Sequence, residues 1–181
     1  YRDLQQAVTN TGASSGSAVV MDIHTGEVLA MANVPSYNPN NINGTNRDTH
    51  RNRAVTDLLE PGSTMKPLTV AAALEAHVIT PNTLFNTNPG RIPNGNYWTT
   101  DTHNHGVLDT TGVITKSSNV GAALIVRRLS NEQFYDFVRR FGYGSSTHSG
   151  FPGEAAGLFP PPPRWYGTTK QSMSYGYSLS V

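Results

Sequence analysis

A Glu60-Pro61-Gly62 turn runs straight into Ser63-Thr64-Met65-Lys66 and then into the helix-forming stretch Leu68, Val70, Ala71, Ala72, Ala73, Leu74, Glu75. No other segment constrains the chain as much. Proline and glycine ahead of an apolar helical run mark a turn feeding a helix N-terminus. The pattern predicts a helix over 63–77, with Ser63 at or near its first turn and Lys66 on the same face, one turn on. A serine hydroxyl is a poor nucleophile until a neighbouring base takes its proton, and a lysine with a lowered pKa can be that base. The positive end of the helix disfavours a lysine cation and favours developing negative charge. Taken alone, Ser-x-x-Lys is a weak signal, more often a helix-capping serine beside a solvated lysine, so further context has to decide.

That context lies at Lys116-Ser117-Ser118-Asn119-Val120-Gly121, between the apolar segments Val113-Ile114 and 120–129, where a short loop joining two helices is expected. Ser-x-x-Lys, a Ser-x-Asn element and Lys-[Thr/Ser]-Gly are the three motifs of penicillin-recognising enzymes. The runs EPGSTMKP and KSSNVG, the downstream FGYG, FPGE and SYGYSLSV, and the opening SGSAVVMDIHTGEVLAMANVPSYNPN together resemble the transpeptidase domain of class B penicillin-binding proteins. The likeness is to the subgroup that makes septal peptidoglycan in Gram-negative bacteria, and it covers nearly the whole chain.

The resemblance implies an α/β (α+β) fold of the penicillin-binding-protein and serine β-lactamase type, with a central antiparallel sheet flanked by helices. It also implies serine acyl transfer with no cofactor and no metal. In that reading Ser63 is the nucleophile, Lys66 the general base, Ser117 the proton relay to the leaving nitrogen, and Asn119 the residue that holds Lys66 or a substrate amide. Ser118, Tyr175 and Tyr177 are expected in the substrate-binding set; ordinary packing is the alternative for the two tyrosines. The implied partners are peptidoglycan stem peptides, β-lactam antibiotics and divisome proteins including a septal glycosyltransferase. The implied location is the periplasmic face of the bacterial inner membrane. Two other readings share the first two motifs: a serine β-lactamase or D,D-carboxypeptidase, and a non-catalytic β-lactam sensor or divisome scaffold.

No Lys-[Thr/Ser]-Gly occurs in the 181 residues, and no stretch approaches the length of a spanning helix. The expectation is therefore a partial transpeptidase domain over 1–181, separated from a membrane anchor and from the Lys-[Thr/Ser]-Gly part, and a poor catalyst by itself. A net charge of +1 gives no reason to expect nucleic acid or an acidic membrane as a partner, and zero cysteines exclude disulfides and thiol catalysis.

Along the chain, residues 2–9 read as the end of a helix, and 17–23 and 27–33 as two strands around a His24-Thr25-Gly26 turn. Residues 35–52 read as a long polar loop. Residues 80–107 read as irregular, with one strand at 96–100. Helices are expected at about 110–116 and 119–129. Phe134, Phe137, Val138 and Phe141 repeat at helical spacing over 131–141, with Gly142 placed to end that helix. Arg127-Arg128 and Arg139-Arg140 lie late in helices, where cations suit the dipole. Pro160 to Pro163 reads as a stiff extended connection before Arg164-Trp165. His103-Asn104-His105 has a metal-like spacing but no further ligand near it, so loop histidines in water are expected.

Overall fold

In the computed structural model, which describes residues 1–44 and 46–181, the first hairpin forms where the alternation and its turn place it. Strands β1 (Gly16–Met21) and β2 (Val28–Val34) pair antiparallel from Gly16 opposite Val34 to Val20 opposite Ala30, with an irregularity between Val20 and Met21. The Asp22 carboxylate closes the turn by accepting the N–H groups of His24 (2.7 Å) and Thr25 (3.0 Å). Those two backbone bonds, Thr25 first, hold its pKa below the usual carboxylate value. Helix α1 (Arg2–Thr11) lies so close to the start of β1 that a Cβ on Gly16 would meet Val8 at 2.7 Å and Leu4 at 3.2 Å. The polar stretch 35–52 is mostly loop, with a 3₁₀ turn at Arg47–His50; Thr45 lies outside the described residues. A single helical turn follows, α2 (Arg53–Thr56), where Arg53 pairs with Asp57 at 2.9 Å and with Asp48. These elements make one of two units, Tyr1–Asp57 with His148–Ala155.

The other unit, Leu58–Thr147 with Ala156–Val181, holds every expected site residue. Its core is helical. Helix α3 (Lys66–Glu75) packs on α5 (Asn119–Val126) and α6 (Asn131–Arg140) through Met65, Val70, Ala73, Ile125, Phe134 and Val138, all essentially without solvent contact. Each large side chain buried this way stabilises the unit by about 1.5–3 kcal/mol. Helix α6 opens with a capping box, Ser130 and Gln133 each bonding the other's backbone N–H. Phe141, the last residue of its apolar stripe, is 58% exposed because the helix has already ended at Arg140.

The stretch 80–107 is more ordered than its composition suggests. It contains β3 (Leu84–Asn86), β4 (Arg91–Asn94) and β5 (Tyr97–Thr100), and β6 (Val107–Asp109) follows, leading into α4 (Thr110–Thr115). β3 pairs with β6 and β4 with β5, both antiparallel. Strand pairing is antiparallel throughout, as expected, and among the described residues it takes the form of three two-stranded ladders. The proline run is only partly extended, since Pro162–Arg164 forms a 3₁₀ turn. Trp165 then donates from Nε1 to Pro160 O (2.8 Å) and packs against Phe134, Tyr135 and Phe159. Helix α7 (Thr169–Met173) completes the unit. Among the described residues no helix is long and apolar enough to cross a membrane.

Candidate active site

Gly62, at φ +59°, turns the chain into a short 3₁₀ segment, Gly62–Met65, and the α-helix proper begins at Lys66. Ser63 thus sits in the tight turn that feeds α3. Thr64 Oγ1 bonds back to Pro61 O (2.8 Å) and fixes that turn. One turn on, the Lys66 side chain is 2% exposed, and its Nζ lies 3.1 Å from Ser63 Oγ, as the spacing predicted.

The same Nζ reaches Ser117 Oγ at 2.9 Å and bonds the Ser117 carbonyl oxygen. Three acceptors therefore surround a group with three donors, which satisfies a buried ammonium. A neutral amine fits equally well, because it can donate to the two Ser117 oxygens while accepting the Ser63 hydroxyl proton. Burial pushes the Lys66 pKa below the usual lysine value, with the charge of Asp101 opposing the shift.

Ser117 owes its position to a helix end. Ser118 N–H bonds Val113 O and Ser117 N–H bonds Ile114 O, both at 3.0 Å. This is the paired closure that ends a helix through a left-handed residue, and Ser117 supplies that residue at φ +53°. The next helix begins at once: Ser118 is the N-cap of α5, accepting Gly121 N–H at 2.8 Å. The sequence motif is a junction in which one helix stops and the next starts with no spacer.

This junction revises one expectation. Ser118 is 0% exposed, and its hydroxyl is engaged twice, by Gly121 and by Asp101 Oδ2 (2.6 Å). It caps a helix and is not available to a ligand. Asn119 is half-buried, and among the described residues its side chain is bonded not to Lys66 but, through Nδ2, to Thr100 O (3.0 Å). Tyr175 and Tyr177 do come together, with ring centroids 5.8 Å apart at 64°. The backbone between them is a turn at Gly176 (φ +91°), not an extended strand. Tyr175 Oη lies 3.0 Å from Thr99 Oγ1, and Tyr177 is 50% exposed.

Sequence reasoning missed Asp101. It follows β5 and turns its carboxylate onto the start of α5. Oδ1 accepts the N–H groups of Asn119 (2.5 Å) and Val120 (3.0 Å), and Oδ2 accepts the Ser118 hydroxyl. An acidic side chain on free helix amides is well placed electrostatically. The available signal was an aspartate closing a short strand, which carries no motif. A second unforeseen contact joins the two halves of the site: Gly62 N–H donates to Gly176 O at 3.1 Å.

A buried amine within hydrogen-bond reach of two hydroxyls can pass a proton from a nucleophile to a leaving group. Residues 16–181 match the penicillin binding protein transpeptidase domain model. Over its whole length the chain is 46% identical to peptidoglycan D,D-transpeptidase FtsI of Escherichia coli strain K12, spanning 30% of that protein. It is 44% identical to the probable peptidoglycan D,D-transpeptidase PenA of Neisseria flavescens, spanning 45% of it. Among solved structures it is similar to the transpeptidase domain of Burkholderia pseudomallei penicillin-binding protein 3, at TM-score 0.88 and 41% identity over the whole chain and 50% of that one. A crystal structure described as a peptidoglycan glycosyltransferase from Burkholderia ambifaria matches at TM-score 0.89 and 42% identity, over the whole chain and 53% of the other.

Proposed function

The chain belongs to the penicillin-binding protein transpeptidase family, and from that premise we propose that the protein is a peptidoglycan D,D-transpeptidase of cell division that cross-links stem peptides through an acyl-enzyme on Ser63. The observation that carries the proposal is the buried Lys66 Nζ, held between Ser63 Oγ at 3.1 Å and Ser117 Oγ at 2.9 Å. The chain spans 30–45% of the curated relatives described above, so activity, substrate and partners are proposed for the full-length protein.

In acylation, neutral Lys66 takes the Ser63 proton as Oγ attacks the carbonyl of the penultimate D-alanine. The Ser63 backbone N–H, at the head of α3, stabilises the oxyanion. The proton then passes through Ser117 to the leaving nitrogen, the C–N bond breaks, and D-alanine departs. An amine from a neighbouring stem peptide attacks the ester and returns the proton, releasing Ser63. A β-lactam enters by the same first step. Its leaving nitrogen stays tethered, and the ester hydrolyses slowly. Tyr175 and Tyr177 are substrate contacts in this scheme, and Asn119 holds a substrate amide through its Oδ1, its Nδ2 being engaged by Thr100. The family likeness further supports a periplasmic site of action and divisome partners including a septal glycosyltransferase.

Intact-mass analysis of the full-length protein after incubation with a penicillin tests this. One adduct is expected, mapping to the peptide that carries Ser63. No adduct, or an adduct on Ser117 or Ser118, overturns the assignment.

The pH dependence follows from Lys66. Acylation needs the neutral amine, so its rate rises with pH through the Lys66 ionisation, which burial places below the usual lysine value. Asp101 is the charge that opposes this lowering. In Asp101→Asn the acid limb of the pH–rate profile shifts to lower pH, while the amide oxygen still accepts helix N–H groups. A limb that stays in place or moves to higher pH contradicts the coupling.

A further inference from the structure

Three consecutive residues at the end of β5 each hold a different residue of the site. Thr99 meets Tyr175, Thr100 O accepts Asn119 Nδ2, and Asp101 takes Ser118. Thr99 also ends a polar chain, exposed at Arg127 and buried at Gln171 and Thr99, for which the acyl-transfer scheme has no use. Arg127, the C-cap of α5, aims Nε at Gln171 Oε1 (2.8 Å) and Nη2 at Pro93 O (2.6 Å). Gln171, on α7 and 7% exposed, turns Nε2 to Thr99 Oγ1 at 2.9 Å and more distantly to Pro93 O at 3.5 Å.

The donor and acceptor inventory fixes the direction of each bond. A guanidinium only donates, so the amide oxygen of Gln171 faces Arg127 and its NH₂ faces Thr99. The Pro93 carbonyl, which only accepts, lies on that same NH₂ side. Thr99 Oγ1 is therefore an acceptor from Gln171. Its own hydrogen is buried (Thr99 is 2% exposed), and among the described residues Tyr175 Oη is the acceptor within reach. A buried donor left unsatisfied is costly, so Thr99 donates to Tyr175. Tyr175 Oη accepts, and its hydrogen points away from Thr99. The ring is held by the cluster of Ile92, Val120 and Ala123, and the next residue is tied to the nucleophile's turn by the Gly62–Gly176 bond.

We propose that Arg127, Gln171 and Thr99 form a polarised relay of positioning residues that presents the Tyr175 hydroxyl as a hydrogen-bond donor to an acceptor oxygen, carbonyl or carboxylate, on the bound acyl donor. The proposal rests on the acyl-transfer reading above and adds a recognition device to it. Its signature is direction: the relay works only if every donor faces toward the site.

Gln171→Glu in the full-length protein tests direction without changing shape. The new carboxylate keeps its pair with Arg127 but gives Thr99 an acceptor where it had a donor. Thr99 then turns its hydrogen inward and accepts from Tyr175, whose hydrogen is withdrawn from the ligand. With a fluorescent penicillin, Gln171→Glu and Tyr175→Phe should each lower the second-order acylation constant about fivefold, the size of one neutral hydrogen bond. The loss should appear in the half-saturating concentration and not in the limiting acylation rate. The double variant should be no slower than Tyr175→Phe alone. Thr99→Ser, which keeps the hydroxyl, should recover what Thr99→Val loses. A second readout is independent of Ser63 chemistry: the ¹³Cζ resonance of labelled Tyr175 should move in Gln171→Glu and Thr99→Val and stay in Thr99→Ser. A wild-type protein that never acylates sinks the proposed function, and the resonance still judges the relay. An additive double variant, or a resonance that does not move, overturns the relay.

Discussion

Replacing Lys66 with arginine in the full-length protein should lower the rate of penicillin acylation by about 10² or more, the scale of a lost general base. The substitution keeps a positive charge beside Ser63 and removes the option of a neutral amine, because a guanidinium does not deprotonate at ordinary pH. Among the described residues the hydrogen-bond partners of Lys66 Nζ are three oxygens, and once the amine is neutral its lone pair can take the Ser63 proton. The site is also closed around a slim side chain that is 2% exposed, and the planar fork of arginine fits it poorly. The pH profile separates chemistry from fit. A variant slowed only by misfit keeps the acid limb of the wild type, whereas loss of the base erases it. Acylation near the wild-type rate would refute the role given to Lys66.

The second large effect is expected far from any ionisable group. Gly176→Ala should cut acylation by about 10² or more, because displacing a reacting group by about 1 Å costs that much. A Cβ at Gly176 falls onto the backbone of Gly62, the residue just before Ser63, so the two segments cannot keep their present distance. Separating them breaks the Gly62–Gly176 hydrogen bond and moves Ser63 relative to Lys66. The site has an internal control for the backbone penalty. Gly142 also has a positive φ (+87°), but a Cβ there meets nothing within 4 Å. Gly142→Ala should lower stability by about 1–2 kcal/mol, the usual cost of the left-handed conformation, and leave acylation intact. Thermal unfolding and labelling rates measured on both variants decide the matter. Equal losses would mean that the contact with Gly62 carries no special weight.

The Ser63–Lys66 contact was legible in the sequence because the information is local. Pro61-Gly62 marks the turn, and an i, i+3 pair at a helix start has one geometry available to it. The Ser117–Asn119 junction was legible for the same reason, two apolar runs with a polar break between them. Asp101 was not, because its value lies wholly in contacts with Ser118 and the amides of residues 119 and 120, which no local pattern encodes. Strands β3, β4 and β6 are three or four residues long, too short for a period of two to stand out among prolines and glycines. Ser118 was misjudged because helix capping and ligand binding call for the same side chain, and only burial tells them apart. Tyr175 and Tyr177 meet through a turn at Gly176, a contact that their spacing in the sequence does not signal.

The left-handed backbone at Ser117 also restricts which side chains could ever carry a hydroxyl to that spot. Threonine offers the same oxygen, but its branched Cβ is poorly tolerated at φ +53°, where small or hydrogen-bonding residues prevail. Tyrosine would carry its oxygen past Lys66. Glycine would relax the turn and lose the oxygen. The hydroxyl inventory at this position therefore narrows to serine before any reaction is considered, and what reads as a requirement of chemistry is imposed in equal part by the way α4 stops.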